Sequence, residues 1–194
     1  MNFASKHMQE VSEIARQIDT GKIELMVELL ASIKLSGGRL FVLGVGGSAG
    51  NASHAVNDFR KLAGIETYAP TDNVSELTAR TNDEGWESIF EGFLKISRLG
   101  SKDGLLILSV GGGDFERSIS VNLCKAIDYA KICGSKVLGI VGRSGGYTDR
   151  MADACLVVPP VNPEAITPHS EAFQAIVWHL MVSHPKLKAN STTW

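Results

Sequence analysis

Apolar residues recur at helical spacing through the first 35 positions: Ile14, Ile18, then Ile23, Met26, Val27, Leu29, Leu30 and Ile33. Asp19-Thr20-Gly21 interrupts the pattern, which predicts two helices, and Ser36-Gly37-Gly38 closes the second as a C-terminal glycine commonly does. From residue 39 the period changes. RLFVL (39–43) is an unbroken apolar run, and helical spacing follows over 48–62. A second strand is predicted at 67–69, a helix at 86–98, a third strand at 105–109 and a helix at 115–132. KVLGIV (136–141) and ACLVV (154–158) give two more strands, and a helix over 169–183 closes the pattern. Strand, loop and helix in repetition predict parallel strands with right-handed crossovers. Apolar runs without alternation predict strands covered on both faces. The fold class that follows is α/β: one domain over 1–194, a three-layer αβα sandwich on a five-stranded parallel sheet, with added N-terminal helices. Those helices, within 1–36, have no strand of their own and are expected to pack outside the sheet or against another subunit.

Composition narrows the class. The 194 residues are 44% hydrophobic and 21% charged, enough apolar material for one buried core, which excludes a disordered chain. A net charge of −2 without basic blocks gives no nucleic-acid footprint. The longest apolar run, around 105–108, falls far short of a membrane span, and the start MNFASKHMQE has no signal pattern. The three cysteines, Cys124, Cys133 and Cys155, are odd in number and form no CxxC, so they read as reduced thiols of a cytoplasmic protein. The tail, 186–194, is polar and predicted to be mobile, with Trp194 unexplained.

Glycine is in excess, 20 residues, and the excess falls at strand-to-helix turns. Gly44, Gly46, Gly47 and Gly50 follow the first strand; Gly111, Gly112 and Gly113 the third; Gly142, Gly145 and Gly146 the fourth. In an open parallel sheet such turns share the carboxyl edge, where ligands bind. Glycine there lets backbone N–H groups approach an anion beside a helix N-terminus, although it also serves tight turns. The first loop, Gly44-Val45-Gly46-Gly47-Ser48-Ala49, is neither a GxGxxG fingerprint nor a Walker A loop. Ser48 is placed to cap the next helix or to hold a phosphate oxygen.

Two His and two carboxylates stand on two predicted helices. His54 and Asp58, four apart, share one face. Glu171 and His179, eight apart, are about 80° apart around theirs. Such a set suits zinc or a similar divalent ion. Each also has a plain structural reading: a hydrogen-bonded histidine, or Asp58 paired with Arg60 or Lys61.

GVGGSAGNASH resembles the first loop and helix of the SIS (sugar isomerase) fold, a flavodoxin-like architecture. With Asn82-Asp83 ahead of Gly85, the loop after the third strand and His179 on a late helix, the chain is similar over almost its whole length to the phosphoheptose isomerases. That resemblance implies interconversion of sedoheptulose 7-phosphate and D-glycero-D-manno-heptose 7-phosphate through an enediolate. It implies Asp58 as base and His179 as acid–base partner, and a zinc ion held by His54, Asp58, Glu171 and His179. It implies substrate contacts at Gly46, Gly47, Ser48, Asn82, Asp83, Ser109, Gly111, Gly112, Gly113 and Glu171, and a homotetramer with active sites between subunits. Asp58 stands where the family has Glu, and Glu171 where it has Gln. Ser109-Val110-Gly111-Gly112-Gly113-Asp114 stands where the family has Ser-Thr-Ser-Gly-Asn-Ser, leaving Asp114 to cap the next helix. Asn82 and Asp83 read equally well as an Asx turn. His169 is a candidate substrate or supporting residue, and His184 a helix-end residue. The other reading is a non-catalytic SIS protein that binds a sugar phosphate or a protein partner in regulation.

Overall fold

A computed structural model describes residues 1–191. Two helices open the chain, α1 (Phe3–Gln17) and α2 (Thr20–Leu35). Asp19 makes the break: its carboxylate caps α2 by accepting the Lys22 N–H at 3.1 Å. There follow β1 (Leu40–Gly44), α3 (Gly47–Lys61), β2 (Thr67–Tyr68), α4 (Val74–Glu84), α5 (Ile89–Ile96) and β3 (Gly104–Ser109). The chain continues through α6 (Val121–Ile132), β4 (Lys136–Val141), α7 (Tyr147–Met151), β5 (Ala154–Val157) and α8 (Ile166–Ser183).

The five strands are parallel in the order β2-β1-β3-β4-β5. Side chains alternate across the sheet, and each face is covered. Leu40, Val42, Leu106, Leu108, Leu138 and Ile140 enter one core with residues of α2, α3 and α8. Phe41, Leu43, Leu105, Ile107 and Val137 enter the other with α5 and α6. Burial on both sides explains the unbroken apolar runs. The N-terminal helices share the first core: Ile23, Met26, Val27, Leu30 and Ile33 of α2 are buried there, and Ile14 is the fully buried residue of α1. Strand order reverses between β1 and β3, so the loops after these two strands flank the crevice where open α/β sheets bind ligands.

Several boundaries differ from the sequence reading. α4 and α7 were not expected as helices. α6 begins at Val121, because 114–120 forms a tight turn instead: Asp114 and Ile119 exchange backbone hydrogen bonds, and Ser118 and Ser120 take positive φ values of 52° and 47°. Asp114 therefore caps that turn, accepting the Arg117 N–H at 3.1 Å, and not α6. The tail is anchored at least to Asn190. Leu187 is fully buried, the Ala189 and Asn190 N–H groups donate to the Leu62 carbonyl, and Asn190 Nδ2 donates to the Lys61 carbonyl. Trp194 lies outside the described residues.

Candidate active site and metal centre

The loops after β3 and β4 are stitched to one another. The Gly142 N–H donates to the Val110 carbonyl, Tyr147 N–H to Gly113, and Thr148 N–H and Oγ1 both to Gly112. Gly146 lies so close to this strap that a Cβ on it would sit 2.2 Å from the Gly111 oxygen. Within the β3 loop, Ser109 Oγ accepts the Gly112 N–H at 3.0 Å. The Ser109 hydroxyl and several loop amides and carbonyls thus build the loop, and glycine is used here as much for close packing as for access. In front of the strap opens a cavity of about 450 Å³, lined by Gly111, Gly113, Asp114, Arg117, Arg143 and Ser144 among others. Arg143 has no ion-pair partner among the described residues, and Arg117 lies 3.7 Å from Asp114 with most of its side chain exposed. The sequence reading missed both guanidiniums; the signal was two arginines in loops that follow adjacent strands at the ligand-binding edge.

Beside this edge, α3 and α8 pack together along one core. Gly46, with φ of 64°, turns the chain into α3, and no side chain caps that helix. Ser48 is buried in its first turn and makes no side-chain hydrogen bond among the described residues. Gly47 faces Glu171 of α8: a Cβ there would lie 2.5 Å from Glu171 Oε2. Asn51 fastens the two helices, its amide donating to the Glu171 carbonyl and to Gln174 Oε1, each at 2.9 Å.

Further along the same seam His54, Asp58 and His179 converge, with one ligand atom from each within 4.8 Å of the others. Asp58 Oδ2 stands 3.9 Å from His54 Nε2 and 3.5 Å from His179 Nε2. Its other oxygen accepts the Asn57 side-chain amide at 2.8 Å. Asp58 is buried, whereas both imidazoles are about half exposed, so the cluster is open to solvent on one side. His179 Nδ1 lies 2.8 Å from the Ala175 carbonyl, a contact that needs a proton on Nδ1. Nε2, the other ring nitrogen, faces Asp58. The buried Trp178 packs against both rings, its centroid 3.5 Å from that of His179 and, edge to face, 4.6 Å from that of His54. Asn57, Gln174 and Trp178 were not singled out from the sequence, because polar and aromatic residues on a core helix carry no mark of what they support.

The remaining candidates are placed differently. Asp58 does not pair with Arg60 or Lys61; Arg60 donates to the Thr67 carbonyl. Glu171 is not among the three converging groups, its carboxylate lying over Gly47. Asn82 and Asp83 lie in the last turn of α4, exposed, the Asn82 amide donating to Asp83 Oδ1 at 2.8 Å, and form no Asx turn before Gly85. His169 pairs with Glu10 of α1, and His184 ends α8.

Residues 3–142 match the SIS domain family. Phosphoheptose isomerase 1 of Campylobacter jejuni is 34% identical over 170 residues, which cover 82% of this chain and 86% of that protein. A phosphoheptose isomerase of Helicobacter pylori (strain P12) is 28% identical over 91% of this chain and 84% of its own length. A solved phosphoheptose isomerase from Neisseria gonorrhoeae shares the fold, with a TM-score of 0.80 at 24% identity over 92% of this chain and 94% of that one. Among the described residues no helix is long and apolar enough to cross a membrane. The parallel sheet, the glycine-lined carboxyl edge and the α3–α8 seam are those of a chain that belongs to the SIS-domain family and, within it, to the phosphoheptose isomerases.

Proposed function

We propose that the chain is an aldose–ketose isomerase that interconverts sedoheptulose 7-phosphate and D-glycero-D-manno-heptose 7-phosphate. The observation that carries this reading is the convergence of His54, Asp58 and His179 in a member of the phosphoheptose isomerases. Isomerisation needs a base that takes the proton from the carbon beside the carbonyl and returns it to the neighbouring carbon, and a second group that manages the oxygens. Asp58 is the buried carboxylate of the set and takes the carbon-bound proton. His179 presents Nε2 as acceptor, held in that tautomer by Ala175. Asn57 and Trp178 keep both groups in place.

A divalent cation fits this donor set. Two imidazoles and a carboxylate within 4.8 Å are ligands that zinc accepts, and the exposed side leaves room for further ligands. His54, Asp58 and His179 would hold it, with Glu171 as the proposed fourth ligand, its carboxylate swinging away from Gly47. When bound, the ion would act as a Lewis acid toward developing negative charge on the substrate oxygens. With an ion bound His179 Nε2 would be a ligand and the ion would take over the substrate oxygens, whereas without one Nε2 would be the acceptor; turnover lost on chelation is the mark of the first arrangement.

The phosphate is proposed to bind at the stitched edge, with Ser48, Ser109, the glycines 111–113 and Arg143 around it. Arginine in that cavity supplies the charge that the replaced hydroxyls of the β3 loop do not. Gly46, Gly47, Asn82 and Asp83 complete the proposed substrate contacts. The proposed assembly is a homotetramer in the cytoplasm, supported by the exposed apolar residues Phe3 and Met8 on α1.

The test is an isomerase assay with sedoheptulose 7-phosphate before and after chelation and zinc return. Turnover is expected to fall on chelation and recover with zinc. His179→Ala and Asp58→Asn should each lower kcat by about 10²–10⁴-fold, and Arg143→Ala should raise KM by roughly 10- to 100-fold. Absence of turnover with or without added metal would leave the non-catalytic SIS reading in its place.

A further inference from the structure

A second cluster of ligating groups lies where the start of α1 meets the start of α8. His7 and Glu10, three residues apart on α1, share a face, and His169 of α8 comes up against both. One ligand atom from each lies within 4.8 Å of the others. Glu10 Oε2 stands 2.8 Å from His169 Nε2, and the imidazoles of His7 and His169 stack with centroids 4.5 Å apart. None of the three belongs to the His54–Asp58–His179 site.

We propose that His7, Glu10 and His169 form a second divalent-metal site that pins α1 to α8. A first-row ion with bonds of about 2.0–2.2 Å holds neighbouring donors roughly 3 Å apart, so the Glu10–His169 pair already has the right bite. The carboxylate is held in orientation from behind, because Asn162 Nδ2 donates to Glu10 Oε1 at 2.9 Å, the outer contact that metal-ligating carboxylates use. His169 is 3% exposed, and its Nδ1 has no hydrogen-bond partner among the described residues. Its other nitrogen, Nε2, is the one that faces Glu10 and would bind the ion. A cavity of about 730 Å³ opens against His7, Glu10, Asn162 and Glu164, with room for waters to complete the coordination shell. Two imidazoles and one carboxylate favour zinc, cobalt or nickel over calcium or magnesium. Ile14 is the fully buried residue of α1, so within the subunit its first turns rest largely on these side chains.

The Asp58→Asn chain isolates this site from the first. It is loaded with Co²⁺ or Zn²⁺, desalted, and assayed for metal per chain, together with Asp58→Asn/His7→Ala and Asp58→Asn/Glu10→Gln. One equivalent is expected in Asp58→Asn, with visible absorption for the cobalt form, and neither double variant should retain it. Added zinc should raise the melting temperature of Asp58→Asn and not that of the double variants. His7 lies at the cavity wall, so His7→Ala keeps the test usable if Glu10→Gln does not fold. Metal-free Asp58→Asn, or equal metal in Asp58→Asn and the His7→Ala double variant, overturns the proposal. Loss of isomerase activity alone does not bear on it.

Discussion

At Asp58 one carboxylate meets two imidazoles, and each ring is positioned by something other than the carboxylate. The Ala175 carbonyl holds His179 through Nδ1, and Trp178 packs against both rings. Glu171 has a different kind of neighbour, a glycine, and this allows its role to be probed without touching it. In Gly47→Ala the new Cβ would lie 2.5 Å from Glu171 Oε2, and the flexible end of that side chain can give way. Because the proposed ligand position lies away from Gly47, the expected outcome is a melting temperature within a few degrees of the parent and zinc held at least as tightly, against weakened zinc binding in Glu171→Ala. A folded Gly47→Ala that loses zinc as far as Glu171→Ala would show that the carboxylate works from its place over Gly47 instead. At this scale the sequence was informative in one direction. The spacing of His54 and Asp58 placed them on one face, because four residues make a turn. For Glu171 and His179 the angle around the helix puts both on one side, but the rise along it separates them by about 12 Å over eight residues. That rise is why His179 meets Asp58 while Glu171 faces Gly47.

Among elements, an ion pair at the amino edge of the sheet ties the start of β1 to that of β3. Asp103, just ahead of β3, accepts the Arg39 N–H at 2.8 Å, Arg39 Nη2 at 2.8 Å, Arg39 Nε at 3.2 Å and the Gly100 N–H at 3.0 Å. Burial pushes the Asp103 carboxyl up, but these donors outweigh it and hold the group below its ordinary value. A carboxyl depressed in the folded state stabilises above its unfolded pKa, about 3.9, and that stabilisation is lost as pH falls through the folded value. The melting temperature should therefore fall below about pH 4. Asp103→Asn should cost about 1–3 kcal/mol at neutral pH and flatten the acid limb, as measured by denaturation at several pH values. Strands and long helices were legible because their patterns run for several residues. α4 and α7 were not. α4 buries no side chain, so it leaves no apolar stripe, and α7 is a single short helix of five residues. The turn at 114–120 was hidden too, since it depends on Asp114 pairing with Ile119 and on positive φ at Ser118 and Ser120.

For the molecule as a whole, the C-terminal segment closes the first core. Leu187 is fully buried in a cluster that runs through α2, α3 and α8, and Lys34 Nζ donates to its carbonyl at 2.9 Å. Leu187→Ala should destabilise by about 2–5 kcal/mol in chemical denaturation while leaving kcat close to parental. A change under 1 kcal/mol would mean that this segment is not part of the cooperative fold. Polarity misled here: one leucine amid Lys186, Lys188 and Asn190 forms no pattern, yet it meets a core already assembled.

The hydrogen bonds that stitch the β3 and β4 loops together bear on how a ligand is received. Loops that must close around a guest lose conformational freedom on binding, and affinity is reduced accordingly. Here that freedom is already given up when Gly112, Gly113 and Val110 take their partners from 142–148 during folding. A phosphate docking at this edge as proposed would meet a contour fixed beforehand, a wall and not a hinge.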